Sequence, residues 1–175
     1  GQHFDDAMSK IFFDELEIPA PKHHLGIHGG AHAEMTGRML EGVEKILLKE
    51  KPAALLVYGD TNSTLAGALA AAKLDIPVIH VEAGLRSFNR AMPEETNRVL
   101  TDHVSRLLLC PTEAAVKNLA REGIAGGVHH TGDVMYDATL HAKESAIKRS
   151  RIAETLKLAP KHYAVATVHR QENVD

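Results

Sequence analysis

The chain has 175 residues, enough for one domain of about 150 residues with a short remainder. Apolar residues make up 44% and charged residues 25%, which excludes a disordered tail, a collagen and a disulfide-stapled mini-protein. Lys and Arg number 20 against 23 Asp and Glu, a net charge of −3, so no basic footprint for nucleic acid is expected. The single Cys110 cannot close an internal disulfide, and its apolar surroundings read as a buried thiol. The longest apolar stretches, such as 65–72, fall far short of the ~20 residues of a membrane helix. No secretory leader is read at the start, and the expectation is a cytoplasmic protein with no membrane partner.

In chain order, Met8, Ile11, Phe12 and Leu16 recur at helical spacing and predict a helix over 5–16. Pro19 and Pro21 stop it, because proline cannot continue the hydrogen-bond ladder. A Gly- and His-rich loop over 26–32 leads to a second helix, whose face Met35, Met39, Val43, Ile46 and Leu47 reaches about Lys51. The run 53–58, closed by Gly59-Asp60, reads as a buried strand. An Ala-rich helix follows over 62–73, with Thr61 or Asp60 available as its cap. A strand at 77–81 and a loop over 82–92 come next. Pro93 opens a helix to about Ser105, in the first-turn position that proline favours. Strand 107–110, a helix opened by Pro111-Thr112-Glu113 and closed by Gly123, strand 128–131, helix 134–148 and strand 163–168 complete the chain.

Strands alternating with helices of this length imply β-α-β units and a parallel sheet, an α/β doubly wound Rossmann-like architecture with helices on both faces. No internal repeat or low-complexity tract is present. The charged stretch 149–162, holding Pro160, divides a Rossmann-like domain over 1–150 from a linker and first strand of a second domain over 151–175. The last strand would have to pair outside the sequence, so the chain is expected to be part of something larger.

Ligands of open parallel sheets bind beyond the carboxyl ends of the strands. Asp60 follows strand 53–58 and Glu82 follows strand 77–81. Glu94, Glu95 and Arg98 occupy the first turns of the next helix, and His169-Arg170 follow the last predicted strand. Carboxylates crowded on one edge raise one another's pKa and suit proton transfer. Each has a plainer reading too: Asp60 as a helix cap, Glu94 as a helix-dipole carboxylate or the i,i+4 partner of Arg98. Asp60-Thr61-Asn62-Ser63-Thr64 sets hydroxyls and free N–H groups at a helix start, a place for an anion, and Arg86, Arg90, Arg98, His169 and Arg170 could add charged donors. Neither G-x-G-x-x-G nor G-x-x-x-x-G-K-[ST] occurs, which argues against a standard dinucleotide or P-loop site. His24, His28 and His32 are four apart, as zinc ligands on a helix would be. Gly26, Gly29 and Gly30 argue against such a helix, and no metal is expected.

The segments Gly1-Gln2-His3, Tyr58-Gly59-Asp60-Thr61-Asn62-Ser63-Thr64, His80-Val81-Glu82-Ala83-Gly84-Leu85-Arg86, Pro93-Glu94-Glu95-Thr96-Asn97-Arg98, Pro111-Thr112, Gly132-Asp133 and His169-Arg170-Gln171-Glu172-Asn173 occur in this order. The order and wording resemble the non-hydrolysing UDP-N-acetylglucosamine 2-epimerases along essentially the whole chain. The resemblance implies the N-terminal half of a GT-B-like two-domain fold, with a UDP-sugar bound between two Rossmann-like halves and no cofactor. It implies inversion of C2 of UDP-GlcNAc by anti elimination of UDP to 2-acetamidoglucal and syn re-addition. By the same resemblance Asp60, Glu82, Glu94, Arg98 and His169 match catalytic residues; the sequence leaves open which carboxylate removes the proton, and the expectation is Asp60, with Glu82 or Glu94 serving the return step. Thr61, Arg86 and Arg170 are expected to bind substrate, and Gln2 and Arg38 to contribute to a site for an activating second UDP-GlcNAc. A homodimer and a role in polysaccharide biosynthesis are implied as well. The family's first strand and most of its second domain would lie outside the sequence, so the 175-residue chain alone is expected to be inactive. The short loop 86–93 is also similar to that of UDP-2,3-diacetamido-glucuronate epimerases, whose extra carboxylate Arg86 or Arg90 could pair. A non-catalytic nucleotide-sugar-binding module and a glycosyltransferase of the same fold are the other readings.

Overall fold

A computed structural model describes residues 9–167. Four short apolar runs form the strands β1 (Leu55–Tyr58), β2 (Val78–Val81), β3 (Leu107–Cys110) and β4 (Val128–His130). They pair in parallel in the order β1-β2-β3-β4, with Val57 opposite His80 and His80 opposite Leu108. Helices α1 (Lys10–Glu15) and α2 (His32–Glu50) precede the sheet. Helices α3 (Asn62–Lys73), α4 (Pro93–Val104) and α5 (Glu113–Arg121) connect its strands, and α6 (Val134–Arg149) and α7 (Ile152–Thr155) follow it.

A parallel order that advances one strand at a time sends right-handed crossover helices to one face. The packing agrees. Gly67 of α3 lies against Leu55 and Val57, His80 of β2 meets Asp102 of α4, and Leu108 and Cys110 of β3 pack with Ala115 and Leu119 of α5. On the opposite face of β1, Leu56 and Tyr58 are 45% and 61% exposed. The described strands thus carry their connecting helices on one face, as in one half of a doubly wound sheet.

Local chemistry sets the helix boundaries. Thr61, not Asp60, caps α3, its Oγ1 accepting from the Thr64 N–H, and Thr112 caps α5 by accepting from Ala115. Pro93 sits in the first turn of α4 beside Glu94 and Glu95, where acidic side chains favour the helix dipole. Helix α3 is rich in alanine, and its buried residues, Thr64 to Ala68 with Ala70 and Ala71, are small enough apart from Leu65 to lie tightly between sheet and neighbours. Its Ala68, Ala70 and Ala71 pack with Leu47, Val57 and Val78 in one core cluster.

The first helix is Lys10–Glu15 among the described residues, and residues 5–8 of the expected helix lie outside them. Residues Tyr163 to Thr167 of the predicted last strand form no strand; Tyr163 and Val165 are exposed and pair in no ladder among the described residues, and residue 168 lies outside them. The stretch read as a linker contains the short helix α7. The chain divides into two compact units, Gly1–Val134 and Met135–Asp175. No helix among the described residues is long and apolar enough to cross a membrane.

Candidate active site

The carboxyl ends of β1 and β2 are held side by side. The Gly59 N–H donates to the Val81 carbonyl, and the Glu82 N–H to the Leu109 carbonyl, so Asp60 and Glu82 emerge on neighbouring strands. Arg98, one and a half turns into α4, donates from Nη2 to Asp60 Oδ2 at 2.5 Å. The Asn97 amide donates to the Asp60 carbonyl at 2.9 Å and to Asn62 Oδ1, fixing the backbone of the same turn. Glu82 is half-buried, and its carboxyl makes no hydrogen bond within the described residues. Burial raises its pKa above the ordinary carboxylate range, and the charges of Asp60 and Asp133 push the same way, against His80 and Arg98. The result is a half-buried carboxyl whose pKa is raised, beside a carboxylate paired with an arginine.

Glu95 organises the rim. It is 2% exposed, and its oxygens accept from the Ser87 N–H, the Ser87 hydroxyl, the Phe88 N–H and Arg98 Nη1, each within 2.9 Å. Burial alone would raise its pKa, but these donors outweigh it and bring the carboxyl down to about 2. Arg98 therefore bridges Glu95 and Asp60, and its pairing is with these two and not with Glu94 at i−4. Glu94 is exposed, with no hydrogen bond or ion pair within the described residues.

Beneath the turns runs a buried polar chain. His80 Nδ1 lies 2.7 Å from Asp102 Oδ1 and Nε2 lies 2.8 Å from the Gly59 carbonyl. Asp102 Oδ2 accepts from the Gly84 N–H and from Arg86 Nη1. The Arg86 guanidinium, its side chain 1% exposed, also grips both oxygens of Glu122 at 2.7 Å. Burial works against its charge, but Glu122 and Asp102 hold its pKa above the ordinary arginine value. This speaks against the expectation that Arg86 binds substrate, since every nitrogen of its fork is engaged within the described residues.

Among the other expected residues, Thr61 is exposed and committed to the α3 cap. Arg38 donates to the carbonyls of His28 and Gly29, closing the Gly- and His-rich loop over α2. Gln2, His169 and Arg170 lie outside the described residues. Among the described residues no three His, Cys, Asp or Glu side chains are placed to hold a metal ion. The roles of Glu95, Asn97, His80 and Asp102 escaped the sequence reading. One signal for His80 was available: a histidine inside the apolar strand Val78–Val81 must find buried partners.

A family model described as UDP-N-acetylglucosamine 2-epimerase matches residues 1–175. The chain is 58% identical over 176 residues to a UDP-N-acetylglucosamine 2-epimerase homolog of Methanococcus maripaludis, covering 100% of this chain and 49% of that protein. It is 54% identical over 178 residues to the UDP-2,3-diacetamido-2,3-dideoxy-D-glucuronate 2-epimerase of Pseudomonas aeruginosa, with the same coverage of 100% and 49%. The crystal structure of Methanocaldococcus jannaschii UDP-GlcNAc 2-epimerase in complex with UDP-GlcNAc and UDP superposes with a TM-score of 0.86 at 53% identity, over 90% of this chain and 44% of that one. The chain spans about half the length of the curated relatives it matches.

Proposed function

The chain belongs to the UDP-N-acetylglucosamine 2-epimerase family, and on that premise we propose that the intact protein carrying it converts UDP-GlcNAc to UDP-ManNAc. A carboxylate takes the proton from C2 while the C1–O bond breaks. The bond's electron pair leaves with UDP, and a C1–C2 double bond forms in the bound 2-acetamidoglucal. UDP then re-adds to C1 and a proton returns to the opposite face of C2.

What carries this reading is the pairing of unlike carboxyls at one sheet edge: Asp60 held by Arg98, and Glu82 raised by burial and by Asp60. Two carboxyls in unlike settings, one paired with an arginine and one half-buried without a cationic partner among the described residues, suit a reaction that removes a proton and gives one back. Asp60 is the base, and Glu82 or Glu94 serves the return step. Arg98 and His169 complete the catalytic group, with Thr61 and Arg170 on the substrate. Gln2 and Arg38 contribute to a site for a second, activating UDP-GlcNAc. The wider proposal is a cytoplasmic homodimer that supplies polysaccharide biosynthesis. In it a Rossmann-like domain over 1–150 leads through 151–175 into the second half of a GT-B-like fold.

Following the anomeric protons of UDP-GlcNAc by NMR in the presence of the intact protein tests this directly; a second set from UDP-ManNAc is expected. A second reading takes UDP-2,3-diacetamido-glucuronate as substrate, for which the observation is Arg90, exposed in the loop beside Glu95's anchor points and unpaired among the described residues. Turnover of that sugar with UDP-GlcNAc left untouched would replace the first reading with the second.

A further inference from the structure

The proposed chemistry gives His80 and Asp102 no proton to move, yet both are fully buried in the structure. His80 stands between the Gly59 carbonyl and Asp102, and Asp102 stands between His80 and the Gly84 N–H. Gly59 immediately precedes Asp60, and Gly84 is two residues past Glu82. One polar chain therefore ties the turn carrying Asp60 to the turn carrying Glu82. Neither a carbonyl nor a carboxylate oxygen can donate, so a link through the ring to both partners requires a hydrogen on each nitrogen. Asp102 is itself pinned by Arg86, which Glu122 grips from the C-terminal cap of α5.

The second turn has no slack. A Cβ on Gly84 would lie 2.5 Å from the Ala115 carbonyl oxygen, so its backbone is pressed against α5, and Glu82 is held at φ 74, a conformation its side chain disfavours. A buried ionic pair is a poor device for stability alone, because well-packed apolar side chains do as well. It is a good device for fixing two backbone segments at one separation.

We propose that His80 and Asp102 are positioning residues, a brace that sets the distance between the Asp60 and Glu82 turns; the inference rests on the epimerase reading above. Proton transfer between carboxyl and C2 needs reach within hydrogen-bond distance, and a misplacement of about 1 Å costs about 100-fold in rate.

Two variants of the intact protein separate the links. His80→Asn keeps a donor near the Nδ1 position, toward Asp102, and loses the one toward Gly59. His80→Gln keeps a donor near the Nε2 position, toward Gly59. Because each variant breaks one link of the chain, the expectation for both is a fall in kcat of about 100-fold with KM within about 3-fold of wild type. If the brace served stability alone, both variants would melt earlier and keep kcat per folded molecule, and that result overturns the proposal. The ring itself gives a measurement independent of turnover. Spectra of the wild-type protein labelled with 15N-histidine, with the His80 signals assigned by their loss in His80→Gln, should show hydrogens on both nitrogens. A bare ring nitrogen overturns the brace even where His80→Asn fails to fold. A wild-type protein that epimerises nothing while both ring hydrogens are present refutes the epimerase reading and leaves the brace between the turns standing.

Discussion

Replacing Glu95 by Gln tests the account of the rim. All four donors around Glu95, the Ser87 N–H and hydroxyl, the Phe88 N–H and Arg98, need an acceptor. A glutamine offers one oxygen, and its NH2 then faces either the Phe88 N–H or the Ser87 and Arg98 donors. A carboxyl held at about 2 in the folded state instead of an ordinary 4.5 stabilises the fold by about 3 kcal/mol at neutral pH. The carboxyl's folded-state pKa is depressed, so this stability is present above about pH 4.5 and is lost as the pH falls toward 2. In urea unfolding at pH 7, Glu95→Gln should lie about 3 kcal/mol below wild type, and by pH 3 about half of that gap should have closed. A gap that is the same at both pH values, or below about 1 kcal/mol at pH 7, would refute the assignment of Glu95 as the charged anchor of the loop.

Glu82→Gln removes the carboxyl that burial and Asp60 disfavour when ionised. Its folded pKa is raised, so the penalty grows as the pH rises past the ordinary carboxylate range. The variant should therefore melt higher than wild type at pH 8, match it near pH 4, and lose about 100-fold or more in kcat, as thermal scans and turnover assays would show. Arg86→Lys cannot grip Glu122 and Asp102 together, and about 3 kcal/mol of stability should be lost while KM for UDP-GlcNAc stays within about 3-fold. A tenfold rise in KM with unchanged melting would return Arg86 to the substrate. Burial pushes the Cys110 thiol up to about 11, with Asp102 adding to the effect. At pH 8 iodoacetamide should leave it unlabelled, by peptide mass, until the protein is unfolded; labelling at the rate of a free thiol would contradict its buried setting.

The strands and the connecting helices were legible because each rests on local chemistry: apolar runs of four residues, Pro93 in a first turn, threonines at Thr61 and Thr112 that cap. The stretch after Tyr163 has the same apolar character and forms no strand within the described residues, since strand propensity without paired neighbours does not suffice. Asp60, Glu82 and Arg98 were legible because strand order alone brings strand ends and the next helix together. The partners of Arg86 were not legible because a charged residue does not name its partner, and Asp102 and Glu122 lie 16 and 36 positions away. Glu94 and Glu95 are adjacent in sequence but differ by about 100° around α4, so one faces water and the other carries the loop.

The central claim is that carboxyls at the ends of β1 and β2 remove and return the C2 proton of a UDP-sugar. Proton NMR of UDP-GlcNAc incubated with the intact protein in D2O tests it most directly. Deuterium should enter C2 of the UDP-ManNAc formed and of the UDP-GlcNAc returned, and Asp60→Asn or Glu82→Gln should suppress that exchange with the fold retained. Epimerised sugar that keeps its original hydrogen at C2, or full exchange in both variants, would contradict the account.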